Sequence, residues 1–85
     1  MPWELIIDSL VKKQLKRIPK NYAERISNVV GALVVNPYGG DIEKMEGEQD
    51  VWRRRVGDYR ILYEINSVKK AIHVLDVRRR TSSTY

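Results

Sequence analysis

The chain has no cysteine and only one histidine, His73, in 85 residues. Without thiols there is no disulfide framework, no thiolate metal site and no cysteine nucleophile, and one imidazole cannot build a zinc site. Stability must come from packing, and neither a metal nor another cofactor is expected. Long apolar runs are missing as well: none approaches the roughly 18–20 residues that span a bilayer, so no membrane segment is expected. The opening MPWELIIDSL lacks a basic lead and is broken by Glu4 and Asp8. It does not read as a secretory signal, and a cytoplasmic location is the expectation. Internal repeats, low-complexity stretches and interdomain linkers are absent, and the length allows one domain with a single modest core.

What the sequence does contain is positive charge, unevenly spread. Residues 1–20 carry five Lys or Arg against two acids, 41–50 carry one against five, and 51–85 carry nine against three, within a net charge of +5. A basic first helix with a basic last third suits a polyanion, and solubility alone is the competing explanation.

The apolar spacing defines the elements. Trp3 to Ile7 is short and apolar enough for a strand, after which Asp8 or Ser9 offers an oxygen to cap a helix. Leu10, Val11, Leu15 and Ile18 repeat at helical spacing, with Lys12, Lys13, Lys16 and Arg17 mostly on the other side, and Pro19 ends the helix. Asn21 and Glu24 resemble a capping box for a second helix, in which Tyr22, Ile26, Val29, Val30, Leu33 and Val34 keep the period until Asn36-Pro37. The stretch from Asp41 to Asp50 is either a loop or a polar edge strand. Val51–Val56, Tyr59–Ile65 and Ala71–Val77 read as strands, and Gly57-Asp58 marks a tight hairpin turn. The expected fold is α+β: an N-terminal strand and a helical hairpin on one face of a three- to four-stranded, mainly antiparallel sheet, whose other face is open.

A two-residue loop sets the hairpin register, so Val56 should pair with Tyr59, Arg55 with Arg60, Arg54 with Ile61, Arg53 with Leu62 and Trp52 with Tyr63. One face then carries Trp52, Val56, Tyr59, Ile61 and Tyr63 as core. Arg54 is the misfit there, to be accommodated by snorkelling or by a bulge. The other face carries Arg53, Arg55 and Arg60 beside Val51, Leu62 and Glu64. Directly opposed like charges destabilise a sheet by up to about 1 kcal/mol per pair, so Arg55 and Arg60 need an offset. Either Glu64 or acids from 41–50 supply it, or a bound phosphate does, and guanidinium forks match phosphate oxygens. Arg78, Arg79 and Arg80 follow on the last strand, and alternation from Leu75 and Val77 puts Arg79 on the side opposite the other two. His73 reads as structural, and Trp52 with Tyr63 as a packed cross-strand pair.

The run WRRRVGDYRILYEI (Trp52 to Ile65), the strand AIHVLDV and the ending RRRTSSTY resemble the C-terminal half of RelE-type toxins, the ribonuclease branch of the RelE/ParE toxin superfamily. The preceding strand and helix pair match that fold's order, so the resemblance covers nearly the whole chain. It implies a microbial-ribonuclease-type fold and an endoribonuclease that cuts messenger RNA in the ribosomal A site. The RNA 2′-hydroxyl would attack the adjacent phosphate without metal, leaving a 2′,3′-cyclic phosphate. Arg60 would stabilise the charged phosphate, Arg79 would lie near the leaving 5′-oxygen, and Tyr85 would stack on or orient the cleaved nucleotide. Arg53 and Arg55 occupy a strand where relatives often carry catalytic lysine. Arginine stays protonated, which leaves Tyr85, a ribosomal group or water as the proton acceptor. Lys12, Lys13, Lys16, Arg17, Arg78 and Arg80 would add attraction to RNA and the ribosome. A cognate antitoxin is the implied protein partner. Two other readings stand beside this one: a ParE-like inhibitor of DNA gyrase, and a non-catalytic RNA-binding or regulatory module.

Overall fold

The structure is a computed structural model that describes residues 3–45, 47 and 50–79. The chain runs β1 (Glu4–Ile7), α1 (Ser9–Arg17), α2 (Lys20–Val35), β2 (Ile42–Lys44), β3 (Val51–Val56), β4 (Tyr59–Asn66) and β5 (Ala71–Arg79). Asp8 caps α1 by accepting from the Leu10 N–H at 3.0 Å. Ile18, which precedes Pro19, is extended at φ −83° and ψ 140°, and this separates the two helices. The expected Asn21–Glu24 capping box does not form. Pro19 is itself the cap residue of α2 and makes no side-chain cap bond, so the helix starts at Lys20 and Asn21 falls inside its first turn. No helix among the described residues is long and apolar enough to cross a membrane.

Among the described residues the sheet has five strands in the order β1-β5-β4-β3-β2, where three or four were expected. Both additions lie at its edges. The N-terminal strand β1 joins in parallel to β5, Leu5 opposite Ile72 and Ile7 opposite Val74. The acidic stretch contributes β2, antiparallel to β3, with Glu43 opposite Arg53. The β3–β4 register is the expected one, from Val51 opposite Glu64 to Val56 opposite Tyr59. At the turn Gly57 has φ +58°, as a tight hairpin with glycine first requires. Between β4 and β5 the pairing skips a residue: Tyr63 faces Val74 and Leu62 faces Asp76, so Leu75 is the extra residue of a β-bulge.

Core side chains come from both helices and the sheet face beneath them: Val11, Ile26 and Leu33 meet Val56, Ile61, Tyr63, Ile65, Ile72 and Val74. Tyr63 is fully buried and donates its hydroxyl to the Pro37 carbonyl at 2.9 Å. Trp52, its cross-strand neighbour, is partly buried and meets Tyr38 edge-on at 5.7 Å between ring centroids. Burial pushes the Tyr63 hydroxyl from the usual 10.0 up to about 12, against the pull of the Arg54 charge and with a smaller push from Tyr38. The neutral hydroxyl therefore contributes stability that is fully present below pH 10 and is lost as pH rises towards 12. Tyr63→Phe should cost about 1–3 kcal/mol at neutral pH by leaving the Pro37 carbonyl unpaired. It should also remove this part of the alkaline loss. Urea unfolding of both proteins from pH 7 to pH 12 checks this, and curves that stay parallel throughout would exclude the buried titration.

Candidate functional site

The open sheet face is organised by register. Arg55 on β3 pairs with Arg60 on β4, and Arg60 pairs with Arg78 on β5, so three arginines form one row across three strands. The bulge at Leu75 decides the third member. In its absence, alternation from buried Val74 would send Arg78 to the helix side; with it, Val77 is buried and Arg78 joins Arg60. In the next row Arg53 pairs with Leu62, and Leu62 with Asp76. Val51 and Leu62, both on this face, are nevertheless buried, at 9% and 8% exposure. Long arginine stems on either side are suited to cover them.

Acids from the β2 region close one side of the row. Asp41, Glu43, Arg53, Arg55 and Arg60 line a cleft of about 120 Å³. The Glu43 carboxylate accepts from the Arg53 guanidinium at 2.6 Å, and Asp76 accepts from Arg78 Nε at 2.8 Å. Among the described residues Arg55 and Arg60 have no acid within ion-pairing distance, although they stand directly opposite each other. The salt-bridge alternative thus holds for Arg53 among the described residues, while Arg55 and Arg60 share the cleft with Asp41 and Glu43 without a direct ion pair. A phosphate placed there would meet two guanidinium groups.

Other arginines take different places. Arg54 points to the helix side and snorkels: its Nη1 donates to the Arg55 carbonyl at 2.9 Å, and β3 contains no bulge. Its guanidinium lies against Gly40, which has φ +87° and where a Cβ would come within 2.6 Å of Cζ. Arg79 pairs with buried Tyr59, so it projects to the face opposite Arg60, and the structure does not bring Arg60 and Arg79 to one point. Lys12, Lys13, Lys16 and Arg17 are exposed along α1. His73 lies 3.6 Å from the Asp8 carboxylate at the start of that helix. Arg80 and Tyr85 lie outside the described residues.

Two residues of this region were not anticipated. Gln14, on α1, donates to Asp76 Oδ1 at 2.6 Å and accepts from the Val77 N–H at 2.9 Å. Burial raises the Asp76 pKa, but the bonds from Gln14 and Arg78, the Arg78 charge and the nearby Val77 N–H hold it below the usual carboxylate value. The available signal was a polar residue on the apolar stripe, since Gln14 falls three positions after Val11 and next to Leu15.

A family model for the ParE toxin of type II toxin–antitoxin systems matches residues 5–83. The chain belongs to the RelE/ParE toxin superfamily. Toxin RelE of Mycobacterium tuberculosis is 25% identical over 83 residues, covering 96% of this chain and 86% of the relative. RelE in the archaeal RelE–RelB complex from Pyrococcus horikoshii is 31% identical, with a TM-score of 0.84 over 98% of this chain and 100% of that one. The toxin chain of the RelB–RelE complex from Methanococcus jannaschii is 26% identical, with a TM-score of 0.74 over 87% and 88%. These RelE/ParE relatives share the α+β arrangement described above.

Proposed function

We propose that the protein is the toxin of a type II toxin–antitoxin pair and acts as a ribosome-dependent endoribonuclease. The observation that carries this reading is the Arg55–Arg60 pair, directly opposed on an open sheet face and without a direct ion pair among the described residues. In the proposed reaction the 2′-hydroxyl attacks the adjacent phosphorus, the bond to the 5′-oxygen breaks, and a 2′,3′-cyclic phosphate remains. Arg60 and Arg55 stabilise the charge that grows on the non-bridging oxygens. Arg53 borders the same cleft, where Glu43 and Asp41 add carboxylates to the set of possible proton acceptors, beside Tyr85, a ribosomal group and water. Tyr85 stacks on or orients the nucleotide. Arg79, on the other side of the strand, is better placed to join the α1 lysines against ribosomal RNA than to reach the phosphate held by Arg60.

The solved relatives in complex with RelB support an antitoxin as the protein partner, and an exposed basic face suits a partner that covers it. The ribosome supplies RNA orientation, a large part of such a barrier, so naked RNA should be cut far more slowly than ribosome-bound message. Incubation with translating ribosomes and mapping of 5′ ends tests the reading, with codon-positioned cuts as the expected result. Inhibition of DNA supercoiling without cuts would favour a ParE-like gyrase inhibitor, a reading that the match to the ParE toxin family supports. Ribosome or RNA binding with neither activity would leave a binding module.

A further inference from the structure

The outer edge of β5 changes neighbour at Asp76. β1 accompanies β5 only as far as Val74, so beyond it the strand edge has no partner strand among the described residues. Gln14 of α1 takes the vacant place, its Oε1 accepting from the Val77 N–H at 2.9 Å. That bond accounts for a polar side chain at this point, because a strand N–H there would otherwise lack a protein partner. It does not account for the contacts at the amide's other end. There Gln14 donates to Asp76 Oδ1 at 2.6 Å, and Asp76 Oδ2 accepts from Arg78 Nε at 2.8 Å.

Three side chains thus run from a helix into the arginine row, and the atom used on Arg78 matters. Contact through Nε restrains the guanidinium while both Nη groups keep no protein partner among the described residues. By register Arg78 stands beside Arg60, which stands beside Arg55. Asp76 is stabilised as the anion by Gln14, Arg78 and the Val77 N–H, so it stays a fixed negative anchor at working pH. An exposed ion pair alone would do little for stability, and Arg78 is 65% exposed. A donor held in place before the reaction needs no reorganisation during it, and that asks for a supporting shell of this kind.

We propose that Arg78 is the third arginine contacting the phosphate on this face, and that Gln14 and Asp76 are positioning residues that hold it there through Nε. The proposal rests on the RNA-cleavage reading, and its test separates the two. Gln14→Ala, Asp76→Asn and Arg78→Ala should each lower kcat for ribosome-bound message on the order of 10-fold, with KM little changed, since displacement by about 1 Å can cost up to 10²-fold. In an Arg78→Ala background, Gln14→Ala and Asp76→Asn should add almost nothing, because they act through the group already removed. The same loss in both backgrounds would mean a merely structural role and would overturn the proposal. Asp76→Asn is isosteric and keeps the cycle usable if Gln14→Ala fails to fold.

A second measurement needs no cleavage: titration with inorganic phosphate, followed by NMR of the arginine Nε–H signals. The Arg60 and Arg78 signals should move together in the wild-type protein, and phosphate affinity should fall several-fold in Asp76→Asn. If the wild-type chain cuts no ribosome-bound message, the ribonuclease reading fails and the titration alone decides the positioning. Equal phosphate affinity in wild type, Asp76→Asn and Arg78→Ala would refute it.

Discussion

Arg60→Ala should reduce cleavage of ribosome-bound message by about 10²–10³, the equivalent of roughly 3–4 kcal/mol of transition-state stabilisation where comparable donors have been removed. Arg60 is at the centre of the row, with Arg55 on one side and Arg78 on the other, so any phosphate shared by two of these arginines meets it. It also has no acid in ion-pairing range among the described residues, so the folded protein loses no ion pair with the side chain. Arg60 is half-buried, so truncating its stem should cost about 1 kcal/mol of packing, offset in part as like charges separate. Ribosome binding should persist on the remaining basic residues, and the loss should therefore lie in kcat. Arg60→Lys should recover only part of the rate, because an ammonium keeps the charge without the bidentate fork. Near-wild-type cleavage by Arg60→Ala would place the chemistry elsewhere and bring the gyrase and binding-module readings forward.

How far the site could be read in advance depended on how local its determinants are. The β3–β4 register was legible because two residues, Gly57 and Asp58, leave the hairpin almost no freedom, and the Arg55–Arg60 pair comes directly from it. The misfit of Arg54 was legible for the same reason, though choosing snorkelling over a bulge needed the loop at Gly40, which lies far away in the chain. The parallel pairing of β1 with β5 joins segments some 67 positions apart, and no short-range pattern encodes it. β2 is three residues long, Ile-Glu-Lys, too short and polar for alternation to show, so Glu43 was not placed beside Arg53 in advance. The bulge at Leu75 carries no glycine to announce it, although it decides that Arg78 stands beside Arg60. Gln14 became meaningful only once β1 was seen to stop short of Asp76. The strands thus announced the arginines, while the geometry that relates them came from long-range contacts.

Ile61, the residue next to Arg60, provides the complementary test, because the two project from one strand to opposite faces. Ile61 is 0% exposed and lies in the cluster formed by both helices and the sheet. Ile61→Ala should destabilise the fold by about 2–5 kcal/mol through lost burial and an unfilled cavity. For 85 residues the total stability expected at 0.05–0.15 kcal/mol per residue is roughly 4–13 kcal/mol, so this one change consumes a large share of it. Each kcal/mol should lower Tm by about 4–8 °C in a domain of this size. Activity should follow the folded fraction: near normal per folded molecule in the cold, and lost on warming well before the wild type. Arg60→Ala should show the reverse, a melt shifted far less than that of Ile61→Ala with a rate depressed at every temperature. The pair distinguishes packing from chemistry at adjacent positions. If Ile61→Ala instead abolished cleavage while melting like the wild type, or Arg60→Ala melted as early as Ile61→Ala with its rate intact, the assignment of core and functional faces would be inverted and the arginine row could not be the site.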